Sequence, residues 1–146
     1  MYETILLPTD GSSGADRAVE NAIDMARMYE AALHVLYVVD MGDMPADVDT
    51  GTIHTTLEET GRETTERVAE RARDAGVETV ETAVVSGSPY GTILEYADEQ
   101  DVDLIVMGTH GRTGLGRFLL GSVTERVVRN SEVPVLTVRL AADEEE

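Results

Sequence analysis

The chain has 146 residues, 42% of them hydrophobic, and a formal net charge of -18. That length suits one domain with a substantial core, and a body this acidic excludes nucleic acid and anionic membrane surfaces as partners, because phosphate neutralisation needs a basic face. There is no cysteine, which excludes disulfides and zinc–thiolate sites, and every basic residue is arginine; the pairing of abundant acid with absent lysine reads as adaptation to high salt, since at ~1 M the Debye length falls to about 3 Å and carboxylate repulsion is screened.

The chain opens on Met1-Tyr2-Glu3-Thr4, which has no basic leader, and enters an apolar run, Thr4-Ile5-Leu6-Leu7, stopped by Pro8. The run predicts a strand buried on both faces, as in a parallel sheet. Thr9-Asp10-Gly11-Ser12-Ser13 is a turn cluster with good helix-capping residues. Ala15, Ala18, Val19, Ala22, Ile23 and Ala26 then recur at helical spacing to about Tyr29. Leu33 to Val39 predicts a second strand, and Asp40 to Thr52 a long loop of the kind that is usually functional or mobile. A helix is expected from about His54 to Ala75, with Gly61 and several threonines weakening its middle. Gly76 is its stop signal.

Val77 to Val85 predicts the third strand. Ser88-Pro89 supplies an N-cap and a first-turn proline for a helix whose apolar face is Tyr90, Ile93, Leu94 and Ala97. Val102 to Met107 is the fourth strand, and Val133 to Val138 the last. Residues 141–146 form an acidic tail, expected to be disordered, behind a single domain over 1–140. No apolar run approaches the ~18 residues of a membrane span, and cytoplasmic residence is the expectation. Strands alternating with helices mean right-handed crossovers and an α/β fold: an open, parallel, five-stranded sheet with helices on both faces.

Between the fourth strand and the helix carrying Val123, Val127 and Val128 lies the stretch Gly108-Thr109-His110-Gly111-Arg112-Thr113-Gly114-Leu115-Gly116, closed by Gly121-Ser122. A glycine-rich loop that leaves a strand and delivers the chain to a helix N-terminus gathers free N–H groups where the helix dipole is positive. An anion site follows, most naturally for phosphates. A P-loop would need lysine, which is absent, and a G-x-G-x-x-G pattern would need glycine where Leu119 stands. The spacing present is Gly108-x2-Gly111-x9-Gly121-Ser122.

That spacing resembles the signature of the ATP-binding branch of the universal stress protein family. So do Ile-Leu-Leu-Pro-Thr-Asp at the start, Val-Val-Asp ending the second strand and Val-Pro-Val-Leu near the end. The resemblance implies a Rossmann-like sheet of strand order 3-2-1-4-5, with a ligand crevice where the order reverses. It implies ATP as ligand, with Mg²⁺ carried through the phosphates. Pro8 and Met107 would line the purine slot, Val38 would offer its backbone to the adenine edge, and Asp10, with Thr9 beside it, would meet the ribose or a nucleotide-bound metal. Gly108, Thr109, His110, Gly111, Arg112, Thr113, Gly114, Gly121 and Ser122 would hold ribose and phosphates, and Val123 and Thr124 would add first-turn amides. The resemblance also implies a homodimer through Val133 to Val138, an apolar edge strand that a second copy would cover.

Three histidines, His34, His54 and His110, are too scattered to suggest a metal site. No serine stands in a nucleophile-elbow context, so a hydrolase triad is not expected. The competing functions are a nucleotide-dependent switch, a slow or partner-activated ATPase, and a nucleotide-free interaction module.

Overall fold

The computed structural model describes residues 2–12, 15–40, 50–109 and 121–139. Nine elements alternate along it: β1 (Thr4–Pro8), α1 (Asp16–Tyr29), β2 (Ala32–Val39), α2 (Thr50–Asp74), β3 (Val80–Ser86), α3 (Pro89–Glu99), β4 (Leu104–Gly108), α4 (Ser122–Asn130) and β5 (Val135–Val138). The five strands form one parallel sheet in the order β3-β2-β1-β4-β5. Both the α/β class and the 3-2-1-4-5 order match the expectation.

The period of two along each strand sorts side chains into two cores. Ile5, Leu7, Leu33, Val35, Leu104 and Val106 pack under α1 and α2. Leu6, Leu36, Ile105 and Met107 pack under α3 and α4, with Ile93, Ala97 and Val127. The strands of β1 and β4 are therefore buried on both faces, which is why their sequences are continuously apolar.

The boundaries differ from the expectation in β3, β4, β5 and α2; β4 begins at Leu104, not Val102, whose N–H is donated to the Ala97 carbonyl at 2.9 Å after α3. β3 begins at Val80, not Val77; Val77 is instead buried in the turn after α2, its N–H donated to the Ala72 carbonyl at 3.0 Å. β5 begins at Val135, after Pro134, whose ring nitrogen has no proton for a ladder. α2 begins at Thr50 and runs unbroken through Gly61. Its buried stripe is Gly61, Thr64, Thr65, Val68, Ala69 and Ala72, a helical repeat written in small and polar residues. Thr65 is tolerated there because its hydroxyl donates to the Gly61 carbonyl one turn back, at 2.9 Å. Most of the expected loop at 40–52, the tail at 141–146 and the loop residues 110–120 lie outside the described residues.

Candidate functional site

All five strands point their carboxyl ends the same way, and the chain reverses its order of addition between β1 and β4. Neighbouring connections therefore leave in opposite directions at that point and open a crevice. A cleft of about 310 Å³ lies there, lined from β1, β2, α2, α3, β4 and α4. Its size is at the lower end of small-ligand sites.

The β1 wall is a pinned turn. Thr9 donates its N–H to the Leu36 carbonyl at 2.9 Å, and Gly11 donates to Thr9 Oγ1 at 3.2 Å. Asp10 Oδ1 accepts the Ser12 N–H at 2.9 Å, closing an aspartate turn. Gly11 sits at φ 79°, a conformation that a side chain would resist. Asp10 and Asp40 place two carboxylates at this end of the cleft.

The opposite wall is the start of α4. Its N-cap is Gly121, which has no side chain to offer the first-turn amides. The first bond closing the helix is Glu125 N–H to the Gly121 carbonyl at 2.9 Å, so the amides of Ser122, Val123 and Thr124 precede the intrahelical ladder. All three residues line the cleft. Two bonds fix this helix start to the sheet: Gly121 N–H to the Thr109 carbonyl at 2.7 Å, and Thr124 Oγ1 to the Gly108 carbonyl at 2.8 Å. Between the two walls the floor is apolar, made by Pro8, Leu36, Val38, Ile93 and Met107. The cleft is thus carboxylate at one end, amide at the other and greasy between them.

Of the residues singled out from the sequence, Pro8, Thr9, Asp10, Val38, Met107, Gly108, Gly121, Ser122, Val123 and Thr124 all line the cleft. Thr109 stands behind it, buried, with its N–H donated to the Val138 carbonyl at 3.0 Å. His110, Gly111, Arg112, Thr113 and Gly114 lie outside the described residues. Sequence reading missed Ala15, Leu36, Tyr37, Val39, Asp40, Leu57, Pro89 and Ile93 as lining. Asp40 had a signal, as the polar residue ending the strand beside the order reversal; Leu57 had none, because nothing local says that the first turns of α2 reach over the strand ends.

Among the described residues no group of three or more histidines and carboxylates could hold a metal. The two described histidines make contacts outside the cleft. His34 is buried on β2, with Nδ1 2.7 Å from the Tyr96 hydroxyl and Nε2 3.5 Å from Glu81 Oε2. His54, on α2, has Nε2 2.7 Å from Ser86 Oγ. Burial pushes His34 below the ordinary histidine value, against a smaller upward pull from Glu81. The Tyr96 hydroxyl is pushed up, by burial first and Glu81 second.

The family model described as the universal stress protein family matches residues 1–139. Universal stress protein MJ0531 of Methanocaldococcus jannaschii is 41% identical over 142 residues, 95% of this chain and 83% of that protein. The solved structure of the MJ0577 protein superposes with a TM-score of 0.86 at 33% identity, covering 95% of this chain and 96% of that one; MJ0577 is also from Methanocaldococcus jannaschii. A universal stress protein solved in complex with cAMP aligns with a TM-score of 0.74 at 29% identity, over 96% and 98% of the two chains. One from Archaeoglobus fulgidus, solved in complex with dAMP, gives 0.69 at 25%, over 93% and 97%.

Proposed function

The chain belongs to the universal stress protein family, and from that premise we propose that it is an ATP-binding, homodimeric, nucleotide-dependent switch. The observation that carries this is the uncapped start of α4 opening into a nucleotide-sized cleft. Its amides and the helix dipole would take the phosphates. The apolar floor between Pro8, Val38 and Met107 would take the purine, and Asp10 would accept from ribose hydroxyls. The relatives solved with cAMP and dAMP support an adenine ligand. Mg²⁺ would arrive on the phosphates, with Asp10 the nearest carboxylate of the turn. Arg112 and the loop glycines Gly111 and Gly114 complete the proposal from the sequence side.

No lysine is present to meet a phosphate, and any ATP turnover at this cleft should be slow or partner-activated. β5 is an edge of the sheet, with Leu136 36% and Val128 43% exposed. Pairing two copies through Val133 to Val138 would cover that edge.

Calorimetric titration with Mg·ATP and Mg·UTP tests the site. Saturable binding of ATP, with UTP much weaker, is expected. Ser122→Pro keeps the first helical turn but removes one amide and one hydroxyl; a charged hydrogen bond is worth about 1.5–3 kcal/mol, so affinity should fall roughly tenfold or more. Equal binding of ATP and UTP, or no loss in the variant, would sink the assignment.

A further inference from the structure

Just outside the cleft, three side chains from two elements line up. Ser86 ends β3, where it pairs in register with Val39. Its Oγ lies 2.7 Å from His54 Nε2. On the far side of the same ring, Nδ1 is 3.4 Å from Glu58 Oε1, one helical turn along α2. A carboxylate only accepts, so in the neutral ring a proton on Nδ1 would face Glu58 and leave the Nε2 lone pair facing the serine hydroxyl. Hydroxyl, imidazole and carboxylate in that sequence, with the nucleophile and base within hydrogen-bond reach, are the parts of an activated serine. Ser86 is exposed and the His54 side chain is 35% exposed, so a solute can reach the pair.

We propose that Ser86, with His54 as base and Glu58 as positioning residue, is a second, nucleophilic site that accepts acyl groups from esters and thioesters of small acids. Ser86 Oγ forms a bond to the carbonyl carbon as its proton passes to His54 Nε2. The bond from that carbon to the leaving oxygen or sulfur breaks, and the proton goes to the departing alcohol or thiol. Water, giving its proton to the same nitrogen, can then release the acid and restore the serine. The amide that follows the nucleophile, Gly87 N–H, is already donated to the Val39 carbonyl at 3.0 Å. It is not free to stabilise an oxyanion. Acylation and release are both slow for that reason, and an ester with a good leaving group is needed to load the serine faster than water clears it.

The test treats the whole protein with p-nitrophenyl acetate and maps the acetyl group by peptide mass spectrometry. Ser88, two residues away and also exposed, is the internal control. Acetylation of Ser86 should outrun that of Ser88 by roughly 100-fold, the usual scale of a general base. His54→Gln should remove that advantage, and Ser86→Ala should leave no adduct at the position. Glu58→Asp, which keeps the charge, should retain more of the rate than Glu58→Gln. Equal labelling of Ser86 and Ser88 in the unaltered protein overturns the proposal, whether or not the variants fold. So does an adduct held on His54, or an undiminished rate in a folded His54→Gln variant. ATP binding at the neighbouring cleft is unaffected by either outcome.

Discussion

His34 shows what one buried ring does to the whole chain. It is 5% exposed, wedged between the Tyr96 hydroxyl and Glu81. Its folded value lies below the ordinary 6.5 because burial disfavours the charged ring more than Glu81 favours it. The unfolded chain therefore binds the proton more readily. Stability from this group is fully present above about pH 6.5 and drains away as pH falls through that value toward the folded one. Urea denaturation across that range should show the loss, and His34→Gln should flatten the slope; parallel slopes would show that His34 is not the group responsible. The same scale separates what could be read from the sequence. The glycine spacing and Ser122 declared themselves because their meaning is local: backbone freedom followed by a helix start. The Ser86–His54 contact joins positions 32 apart on different elements, and no local pattern announces it. The expectation of no hydrolase triad rested on the missing elbow motif, a local pattern that says nothing about contacts between distant elements.

At the scale of elements, α2 is where pattern reading fell short. Gly61 and the threonines have modest helix propensity and predict a weak middle. They are instead the close-packed face. A methyl group on Gly61 would stand 2.7 Å from Tyr37 Cδ1 and 3.0 Å from Val84 Cγ1, and Tyr37 is only 2% exposed. Gly61→Ala gains up to about 1 kcal/mol in helix propensity, but overpacking a filled core costs roughly 1–3 kcal/mol. Net destabilisation is expected in a thermal or urea melt; a more stable variant would mean that α2 can lift off the sheet without loss. The strands were legible for the opposite reason. β1 and β4 are buried on both faces, so Ile5 to Leu7 and Leu104 to Met107 are unbroken apolar runs that mark the elements. β3, with only one neighbour and several exposed positions, lost its true start to a buried Val77 that belongs to a turn.

For the molecule as a whole, alternation of strand and helix was enough to give a parallel α/β sheet, but not its order. Nothing in the spacing distinguishes 3-2-1-4-5 from other doubly wound arrangements; the order came with the family resemblance, and the pairings agree with it. Charge was legible at once and bears on binding. A nucleotide of several negative charges must approach a body at -18, toward a cleft with Asp10 and Asp40 on one wall. Moderate salt or Mg²⁺ should first tighten ATP binding by screening that repulsion. Titration from low ionic strength upward checks it, and steady weakening from the start would count against it. Association is tested at the same scale. Sedimentation should give a dimer at micromolar concentration, and Leu136→Arg on the exposed edge should shift it to monomer; a wild-type monomer would remove β5 as the contact.

The far end of the sheet offers something practical. Asp103 Oδ2 holds the amides of Glu3 and Thr4, each at 3.0 Å, tying the start of β1 to the start of β4. Those contacts use main-chain protons, so the exposed Glu3 side chain can be exchanged without loosening them. In a polypeptide devoid of native thiols, Glu3→Cys would carry a fluorophore at a single known spot. That spot lies at the opposite end of β1 from the cleft, so a change in its emission on adding a cleft ligand would report an effect carried along the β-ladder rather than direct touch.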